Sequence, residues 1–462
     1  FPVAIGEDDG SDWLSPPMIM PVEGEAAWMA AITRNGRVHR WEMIDRDTDG
    51  LFDLSEVITT SRDPVGAPII WDNAVVGPSR ILFVPLQDGS YDLIGLRSTF
   101  HQFNLTGRGT IRGAAGRNQN EARAVYRDGD VWRIGSIGAG GPVVDVTADS
   151  LLMPVLGDLD RRDDPASLEV VVADAGGQLF ALDRNLDPLA GFPQVLHYHP
   201  IAPPILADMD RDGYLDIIVL GDDGMTYAYA HNGALVPNFP MPTGLPYRPE
   251  LESVSPLAVD FGVEGFLSTV TGGAERLLYS RDATGAETEG MPRALGNRVT
   301  GSAAWAQNTA IDQSGVFVRC ADGFLYGFAA PTPGPSPSTA TWPMSRRDAR
   351  AAATVDTDDL GPIDLPAGFF LEERAFVYPN PARDEAIVRY WLGDDARVTI
   401  SIYDLAGNRV NEWSGSGSGG VYNEWTWECA DAASGVYFAR LEVTPKNGGA
   451  AEQVLCKLSV IQ

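Results

Sequence analysis

The segment DMDRDGYLD, at residues 208–216, concentrates acidic side chains at a spacing that suits metal binding. Its acids occupy relative positions 1, 3, 5 and 9, which are Asp208, Asp210, Asp212 and Asp216. Gly213 stands at position 6, where a glycine allows the sharp turn of a loop that wraps oxygen ligands around Ca²⁺. The backbone carbonyl of Tyr214 would add a further oxygen ligand at position 7. The spacing therefore predicts a Ca²⁺-binding loop.

Two other uses of these acids are weighed against metal binding. A catalytic pair would need two carboxylates held at different pKa values in an enclosed cleft, which a short acidic run between two apolar segments does not indicate. A solvated turn without metal is the second alternative. Four carboxylates on one exposed loop repel one another unless a cation neutralises them, so Ca²⁺ is the preferred interpretation.

A second acidic segment, DRDTDGLFDLSE at residues 45–56, matches the same spacing and extends it to a twelfth position. The donors that it places at positions 1, 3, 5, 9 and 12 are Asp45, Asp47, Asp49, Asp53 and Glu56. Gly50 takes position 6, and the terminal acid suits a bidentate ligand. The preceding residues, GRVHRWEMI, have the pattern of a β-strand. We therefore expect a Ca²⁺ loop without flanking helices.

A third acidic segment, DLDRRDDPASLE at residues 158–169, departs from this spacing because Arg162 stands at position 5. Its candidate ligands are Asp158, Asp160, Asp164 and Glu169. A loop lengthened by a few residues could still close around Ca²⁺. The alternative is a plain turn held by salt bridges.

The elements that must position these loops are indicated by a hairpin signal that recurs along the chain. Seven turn dipeptides end in glycine and precede alternating polar and apolar residues, at Gly36, Gly89, Gly129, Gly177, Gly224, Gly273 and Gly323. Glycine supplies the positive φ that a tight hairpin turn requires. The spacings between these glycines run from 40 to 53 residues, which is the period of a four-stranded propeller blade.

The fold class predicted from this repeat is all-β, with a seven-bladed β-propeller over residues 1–331. Runs of small residues such as GAPII and APPIL precede several hairpins and suit an innermost strand beside a central channel. The 158–169 and 208–216 loops are expected at equivalent places in the fourth and fifth blades, and the 45–56 loop between two blades. The N-terminal DWLSPPMIM is expected to supply a strand that closes the ring.

The stretch LADMDRDGYLDIIVLGDDGMTYAYAHNGALVPNFP resembles the Ca²⁺-loop repeats of the integrin-α-type propeller, called FG-GAP or VCBS repeats. The resemblance is strong in the fourth and fifth blades and degenerate in the first three. It implies a Ca²⁺-stabilised propeller.

A separate C-terminal domain follows a Pro-rich linker, which is assigned to residues 332–373. Residues 374–462 contain short alternating strands and turn signals that predict a small Ig-like β-sandwich. The segments VYPNPARDEAIVRY, VTISIYDLAGNRV and ASGVYFARLEV resemble the FlgD-like Ig fold and the sorting domain of type IX secretion. This resemblance implies export to the cell surface or beyond it. Cys429 and Cys456 lie in this domain and could form a disulfide, a question that the sequence leaves open.

Charge and apolar patterning limit the classes of partner. The net charge is −29, from 63 acidic and 34 basic residues, which argues against nucleic acid or an anionic membrane surface as partner. No run of about 20 apolar residues is present, so the sequence predicts no transmembrane segment. The partners expected are a protein or a glycan at the cell surface, or other copies of the chain.

The function expected from these features is a non-enzymatic binding, adhesion or extracellular assembly subunit. The alternative is a secreted hydrolase or lyase, carbohydrate-active or other, or a fragment of one, with its site in the propeller channel. The fold class alone cannot decide between them, because propellers host many chemistries.

Overall fold

A computed structural model describes most of the regular elements of the chain. The residues that it describes are 18–20, 27–43, 54–65, 68–73, 79–87, 90–95, 99–102, 110–116, 122–137, 141–159, 161, 168–209, 212–236, 238–243, 255–261, 267–272, 276–283, 285, 287–288, 290–308, 313–329, 353–355, 369–370, 375–378, 382–419, 421–446 and 448–461. All regular structure within these ranges is β. The described residues contain no helix that could span a membrane.

The first three blades are four-stranded antiparallel sheets. Blade 1 consists of β1 (Met18–Met20), β2 (Trp28–Ile32), β3 (Arg37–Glu42) and β4 (Leu54–Thr59). Blade 2 consists of β5 (Ile69–Asn73), β6 (Ser79–Pro85), β7 (Tyr91–Gly95) and β8 (Thr99–Gln102). Blade 3 consists of β9 (Thr110–Ala115), β10 (Arg123–Asp128), β11 (Val131–Ser136) and β12 (Val143–Val146).

Four further sheets follow in the same order. Blade 4 contains β13 (Val155–Gly157), β14 (Glu169–Asp174), β15 (Gln178–Leu182) and β16 (Gln194–Val195). Blade 5 contains β17 (Ile205–Ala207), β18 (Asp216–Leu220), β19 (Met225–Tyr229) and β20 (Met241–Pro242). Blade 6 contains β21 (Leu257–Val259), β22 (Ser268–Gly272), β23 (Leu277–Asp282) and β24 (Arg293–Ala294). The described strands of blade 7 are β25 (Ala304–Asn308), β26 (Gln313–Arg319) and β27 (Leu325–Ala329).

The predicted hairpins all connect the second and third strands of a blade. Five of the turn glycines are described, with φ between 62° and 98°: Gly36, Gly129, Gly177, Gly224 and Gly323. Gly89 and Gly273 lie outside the described residues, between strands that pair as a hairpin. The prediction of seven blades is confirmed, because the hairpin that sets the repeat is present in each sheet.

Apolar cores join each blade to the next. One core is continuous from blade 3 to blade 6 and includes Ile134, Leu156, Ile218 and Leu267. Other cores join blade 1 to blade 2, blade 2 to blade 3 and blade 6 to blade 7. The first strands of blades 2 and 5 begin at the end of the predicted small-residue runs, at Ile69 and Ile205. Neighbouring blades approach closely at the first strand of blade 4. At Gly157, a Cβ would lie 2.6 Å from Cδ1 of Leu206 in blade 5.

The N-terminal segment supplies a strand, as expected, whereas the 45–56 loop lies in a different place from the one expected. Met18–Met20 pairs with β2 as the first strand of blade 1, and residues 1–17 lie outside the described part of the chain. The 45–56 loop connects β3 to β4. It therefore lies within blade 1, and its expected place between two blades was wrong, because β4 pairs back onto β3 and not with the next sheet.

A short strand from the assigned linker adds to blade 4. This strand, β28 (Thr354–Val355), pairs in parallel with β13 at the free side of that strand. The backbone N–H of Leu156 donates to the carbonyl oxygen of Ala353 over 2.9 Å. Ala353 to Val355 are all at least 97% buried. Blade 4 consequently has five strands, and the fifth comes from the segment that follows the propeller.

The C-terminal domain is a two-sheet sandwich. One sheet has the order β29 (Phe376–Tyr378), β30 (Glu385–Leu392), β33 (Val421–Glu428). The other has the order β32 (Arg409–Gly417), β31 (Ala396–Asp404), β34 (Gly435–Pro445), β35 (Glu452–Val460). Apolar residues from both sheets, including Val388, Ile400, Leu441 and Leu458, form one core. The predicted Ig-like sandwich is confirmed.

The three cysteines are buried, and their sulfur atoms are not joined in a disulfide. The Cys429 thiol donates to the carbonyl of Arg383, and the Cys456 thiol donates to the carbonyl of Ala375, so the possible disulfide is not formed. Burial raises the pKa of the Cys456 thiol to about 11. Burial also raises the thiol pKa of Cys320, with a smaller contribution from the negative charge of Asp322.

We expect the native protein to be inert to an aromatic disulfide reagent at pH 7.5, because buried thiols with raised pKa values form little thiolate. After unfolding without reductant, three thiols per chain should react, since the sequence has three cysteines. A yield of one thiol per unfolded chain would show that two of the cysteines pair.

Candidate metal-binding loops

The blade 5 loop is closed by hydrogen bonds from its own backbone. Asp208 follows β17 directly, and its Oδ2 accepts a hydrogen bond from the N–H of Gly213 over 3.0 Å. The N–H of Tyr214 donates to Oδ1 of Asp212 over 2.8 Å. Gly213 has a φ of +89°, which is the left-handed conformation that the sixth position of the loop requires. The aspartates therefore shape the turn as well as supplying oxygen donors.

A buried carboxylate closes the base of this loop. Asp216 is the first residue of β18 and is 3% exposed. Its Oδ2 accepts a hydrogen bond from the backbone N–H of Met209 over 2.9 Å. Met209 is itself fully buried, so this bond satisfies an amide that water cannot reach.

The blade 4 loop repeats this arrangement with a longer acid. Glu169 is the first residue of β14, is 1% exposed, and its Oε2 accepts from the N–H of Leu159 over 2.8 Å. Oδ1 of the buried Asp158 accepts from the N–H of Arg161 over 2.9 Å. The two loops occupy equivalent places between the first and second strands of neighbouring blades, as the sequence predicted.

An arginine joins the two loops across the blade boundary. Nη1 of Arg161, in the blade 4 loop, donates to the carbonyl oxygen of Gly213 in the blade 5 loop over 2.7 Å. Arg161 has a φ of +48°, an uncommon conformation for a residue with a side chain. No role for Arg161 was expected from the sequence. Its position beside the expected acidic ligands was the only available signal.

Several predicted ligands lie outside the described residues. They are Asp210 in blade 5, Asp160 and Asp164 in blade 4, and Asp45, Asp47, Asp49 and Asp53 in blade 1. Glu56 lies in β4, where its backbone is opposite Arg40. The predicted metal ligation of these residues stays a prediction.

The described donors fit Ca²⁺ in their chemistry but are not gathered into one ligand set. Asp208, Asp212 and Asp216 supply carboxylate oxygens, which Ca²⁺ prefers. Within the described ranges, no group of three or more His, Cys, Asp and Glu side chains is placed to hold a metal ion. One oxygen of each of these three carboxylates bonds to a backbone N–H of the same loop. Metal binding would require the carboxylates to converge while the loop keeps its backbone course.

A tyrosine cluster lies on the strands of blade 5 and on the connection from blade 4. The rings of Tyr198 and Tyr227 stack with centroids 3.7 Å apart, and the hydroxyls of Tyr198 and Tyr229 are 3.2 Å apart. The Tyr227 hydroxyl donates to Oδ2 of Asp223 over 2.5 Å. Burial, more than any other cause, raises the pKa of Tyr198 and of Tyr227 far above the ordinary value. These phenols stay neutral and serve packing.

We expect Asp216→Ala to lower the free energy of unfolding by about 1–3 kcal/mol in chelator, because the buried amide of Met209 loses its acceptor. Asp216→Asn should have a smaller effect, since an amide oxygen can still accept this bond. Urea denaturation measures both. The control is Asp130→Ala, whose side chain is fully exposed, and it should leave the midpoint unchanged. Equal effects of Ala and Asn at position 216 would contradict a backbone-capping role.

Comparison with solved structures finds propeller-like proteins of low sequence identity. Two crystal structures of BBS1N in complex with ARL6DN, soaked with mercury and with lead, are 13% and 14% identical to this chain. Each match covers 70% of this chain, and it covers 97% and 93% of the respective BBS1N chains. The TM-scores are 0.45 and 0.44. Saccharomyces cerevisiae Sqt1 is 12% identical, with 82% of this chain and 94% of that chain covered and a TM-score of 0.48. The assignment of seven blades rests on the sheets described above.

The sequence comparisons bear on the C-terminal domain. No curated protein sequence is significantly similar to the chain. Residues 376–449 match the family described as the secretion system C-terminal sorting domain. These residues extend from β29 to beyond β34, and they exclude the propeller, whose FG-GAP resemblance stays an expectation. The match confirms the expected type IX sorting domain, and the chain is that of a bacterial protein exported to the cell surface.

Proposed function

We propose that this exported protein is a non-enzymatic binding, adhesion or extracellular assembly subunit whose propeller is stabilised by Ca²⁺. The main support is the position of the acids in blades 4 and 5. Asp158, Glu169, Asp208 and Asp216 lie where a strand meets a loop, and each accepts a backbone N–H of its own loop. Carboxylates used in this way hold the backbone of the loop together.

Ca²⁺ would act as a clamp at these junctions. In blade 5 the ligands would come from Asp208, Asp210, Asp212 and Asp216 and from the carbonyl of Tyr214. In blade 4 they would come from Asp158, Asp160, Asp164 and Glu169, and in blade 1 from the 45–56 loop. When bound, the ion neutralises carboxylate charge. The net charge of the chain is −29, so neutralisation reduces the self-repulsion that destabilises the folded state.

Three of the described histidines contact an aromatic ring or a backbone carbonyl. His39 stacks on Trp41 with ring centroids 5.8 Å apart, and His231 stacks on Tyr214 at 4.3 Å. Nδ1 of His199 lies 3.0 Å from the carbonyl oxygen of Ala175. An imidazole that acts as general base must be placed within hydrogen-bond reach of a nucleophile. These contacts place the three imidazoles against rings and a backbone carbonyl, which suits a structural role.

The partner proposed is a protein or a glycan at the cell surface, or another copy of the chain. The sorting domain brings the propeller to that location. A rigid ring of blades with exposed loops is a suitable scaffold for binding, because its backbone is held by blade-to-blade packing while loop residues can vary.

We expect Ca²⁺ to raise the melting temperature of the chelator-treated protein by several degrees, because the ion binds the folded loops in preference to the unfolded chain. Differential scanning calorimetry at rising Ca²⁺ measures the shift. Asp212→Ala should reduce it, because this residue supplies an oxygen to the blade 5 loop. Asp183→Asn is a matched control, since Asp183 also accepts backbone N–H groups in a turn but lies outside the three loops. Identical melting curves in chelator and in millimolar Ca²⁺ would refute the clamp.

We expect the purified protein to show no turnover of polysaccharides, peptides or esters in a broad screen. The same preparation should bind to isolated cell-surface material from the source bacterium, and binding should weaken in chelator. Turnover that disappears when one channel-lining carboxylate is replaced would establish the enzyme alternative and reject the proposed role.

A further inference from the structure

The second half of strand β30 in the Ig-like domain, from Val388 to Leu392, is buried on both of its faces. The residues that face the sandwich core are Ala386, Val388, Tyr390 and Leu392. Side chains alternate along a strand, so Arg389 and Trp391 point to the outer face of the sheet. Each is nevertheless only 6% exposed. An outer face of a two-sheet sandwich is ordinarily solvated, and an arginine there is ordinarily exposed. Another part of the molecule must therefore cover this face.

A hydrogen bond shows that blade 5 packs against part of this face. Nη1 of Arg389 donates to the carbonyl oxygen of Leu235 over 3.1 Å. Leu235 lies between β19 and β20 and forms a bridge with Tyr229, so its carbonyl belongs to the body of the blade. Arg389 also forms an ion pair with Glu424 of the neighbouring strand, at 3.5 Å. A buried guanidinium needs such partners, because burial without them is strongly unfavourable.

The chain between the two domains provides a second attachment. Ala353 and Val355 belong to the same apolar core as blades 3 to 6, and β28 extends the sheet of blade 4. The segment that leads to the Ig-like domain is therefore fixed to blade 4, next to the blade that Arg389 contacts. Two adjacent blades hold the C-terminal part of the chain at two separate points.

We propose that the outer side of β30 around Arg389 and Trp391 is a docking surface for blade 5 of the same chain. The Ig-like domain is held on the propeller by this surface and by β28. It is not a freely moving tail. The sorting domain is thus presented in one orientation, and it stays bound when the covalent connection to the propeller is cut. This inference does not depend on Ca²⁺ or on the proposed binding role.

The test uses the full-length protein with a recognition sequence for a site-specific protease inserted at one of two places. A cut between residues 356 and 368 leaves β28 on the propeller, so the docking surface alone holds the domain. A cut between residues 332 and 341 leaves β28 on the C-terminal fragment. We expect the two fragments to co-elute in size-exclusion chromatography at micromolar concentration after either cut.

Arg389→Ala should separate the fragments after the later cut, through at least tenfold weaker association. After the earlier cut, the same variant should still co-elute, because β28 remains as an attachment. Arg440→Ala is the matched control, since Arg440 lies on the other sheet and pairs with Glu442 in solvent. Melting of the separated C-terminal fragment, compared with that of the control protein, excludes a folding defect.

Separation of the unsubstituted fragments after both cuts would overturn the proposal. Co-elution of the Arg389→Ala fragments after the later cut, at unchanged affinity, would overturn the assigned surface. Separation of the Arg389→Ala fragments after the earlier cut as well would show that β28 does not attach the two domains.

Discussion

Each blade is a thin apolar sheet that cannot cover its own faces, and the rest of the structure depends on this constraint. All five residues of β18 are at least 95% buried, and so are all six of β14. A strand buried on both faces requires a neighbouring sheet on each side. The continuous core from blade 3 to blade 6 is the direct result. Burying one such valine or isoleucine stabilises the fold by about 1.5–3 kcal/mol, so blade-to-blade packing is the dominant favourable interaction.

In blades 4 and 5, buried carboxylates lie where these apolar strands begin. There the backbone leaves the sheet, and N–H groups such as those of Leu159 and Met209 are buried without a strand partner. Glu169 and Asp216 satisfy them from the first residue of the following strand. The acidic loops are thus required by the fold before any metal is considered. Arg161 adds a positive charge between two of them and joins blade 4 to blade 5.

The same burial argument extends to the C-terminal domain. Arg389 and Trp391 are covered although the alternation of β30 directs them outward, and β28 is inserted beside β13. The sorting domain and the propeller are therefore in direct contact in this chain. A sorting domain held against two blades has a defined orientation, which a Pro-rich tether alone would not provide.

The sequence predicted the features that local chemistry determines. The seven hairpins follow from glycine turns, and the equivalence of the loops in blades 4 and 5 follows from acids that immediately succeed an apolar strand. The features that it did not predict depend on contacts between distant residues. The two-residue strand β28 has no turn signal, the bond from Arg161 to Gly213 crosses a blade boundary, and an arginine in an alternating strand gives no sign of its burial. The place of the 45–56 loop was wrong because spacing predicts ligands and does not predict which strands a loop connects.

The most direct test of the account is a crystal structure of the protein grown with millimolar Ca²⁺. We expect an ion in the blade 5 loop, with oxygens of Asp208, Asp210, Asp212 and Asp216 and the carbonyl of Tyr214 at about 2.3–2.6 Å from it. A loop that holds only water under these conditions, with Asp216 still bonded to Met209, would contradict the claim that these acids form a Ca²⁺ clamp.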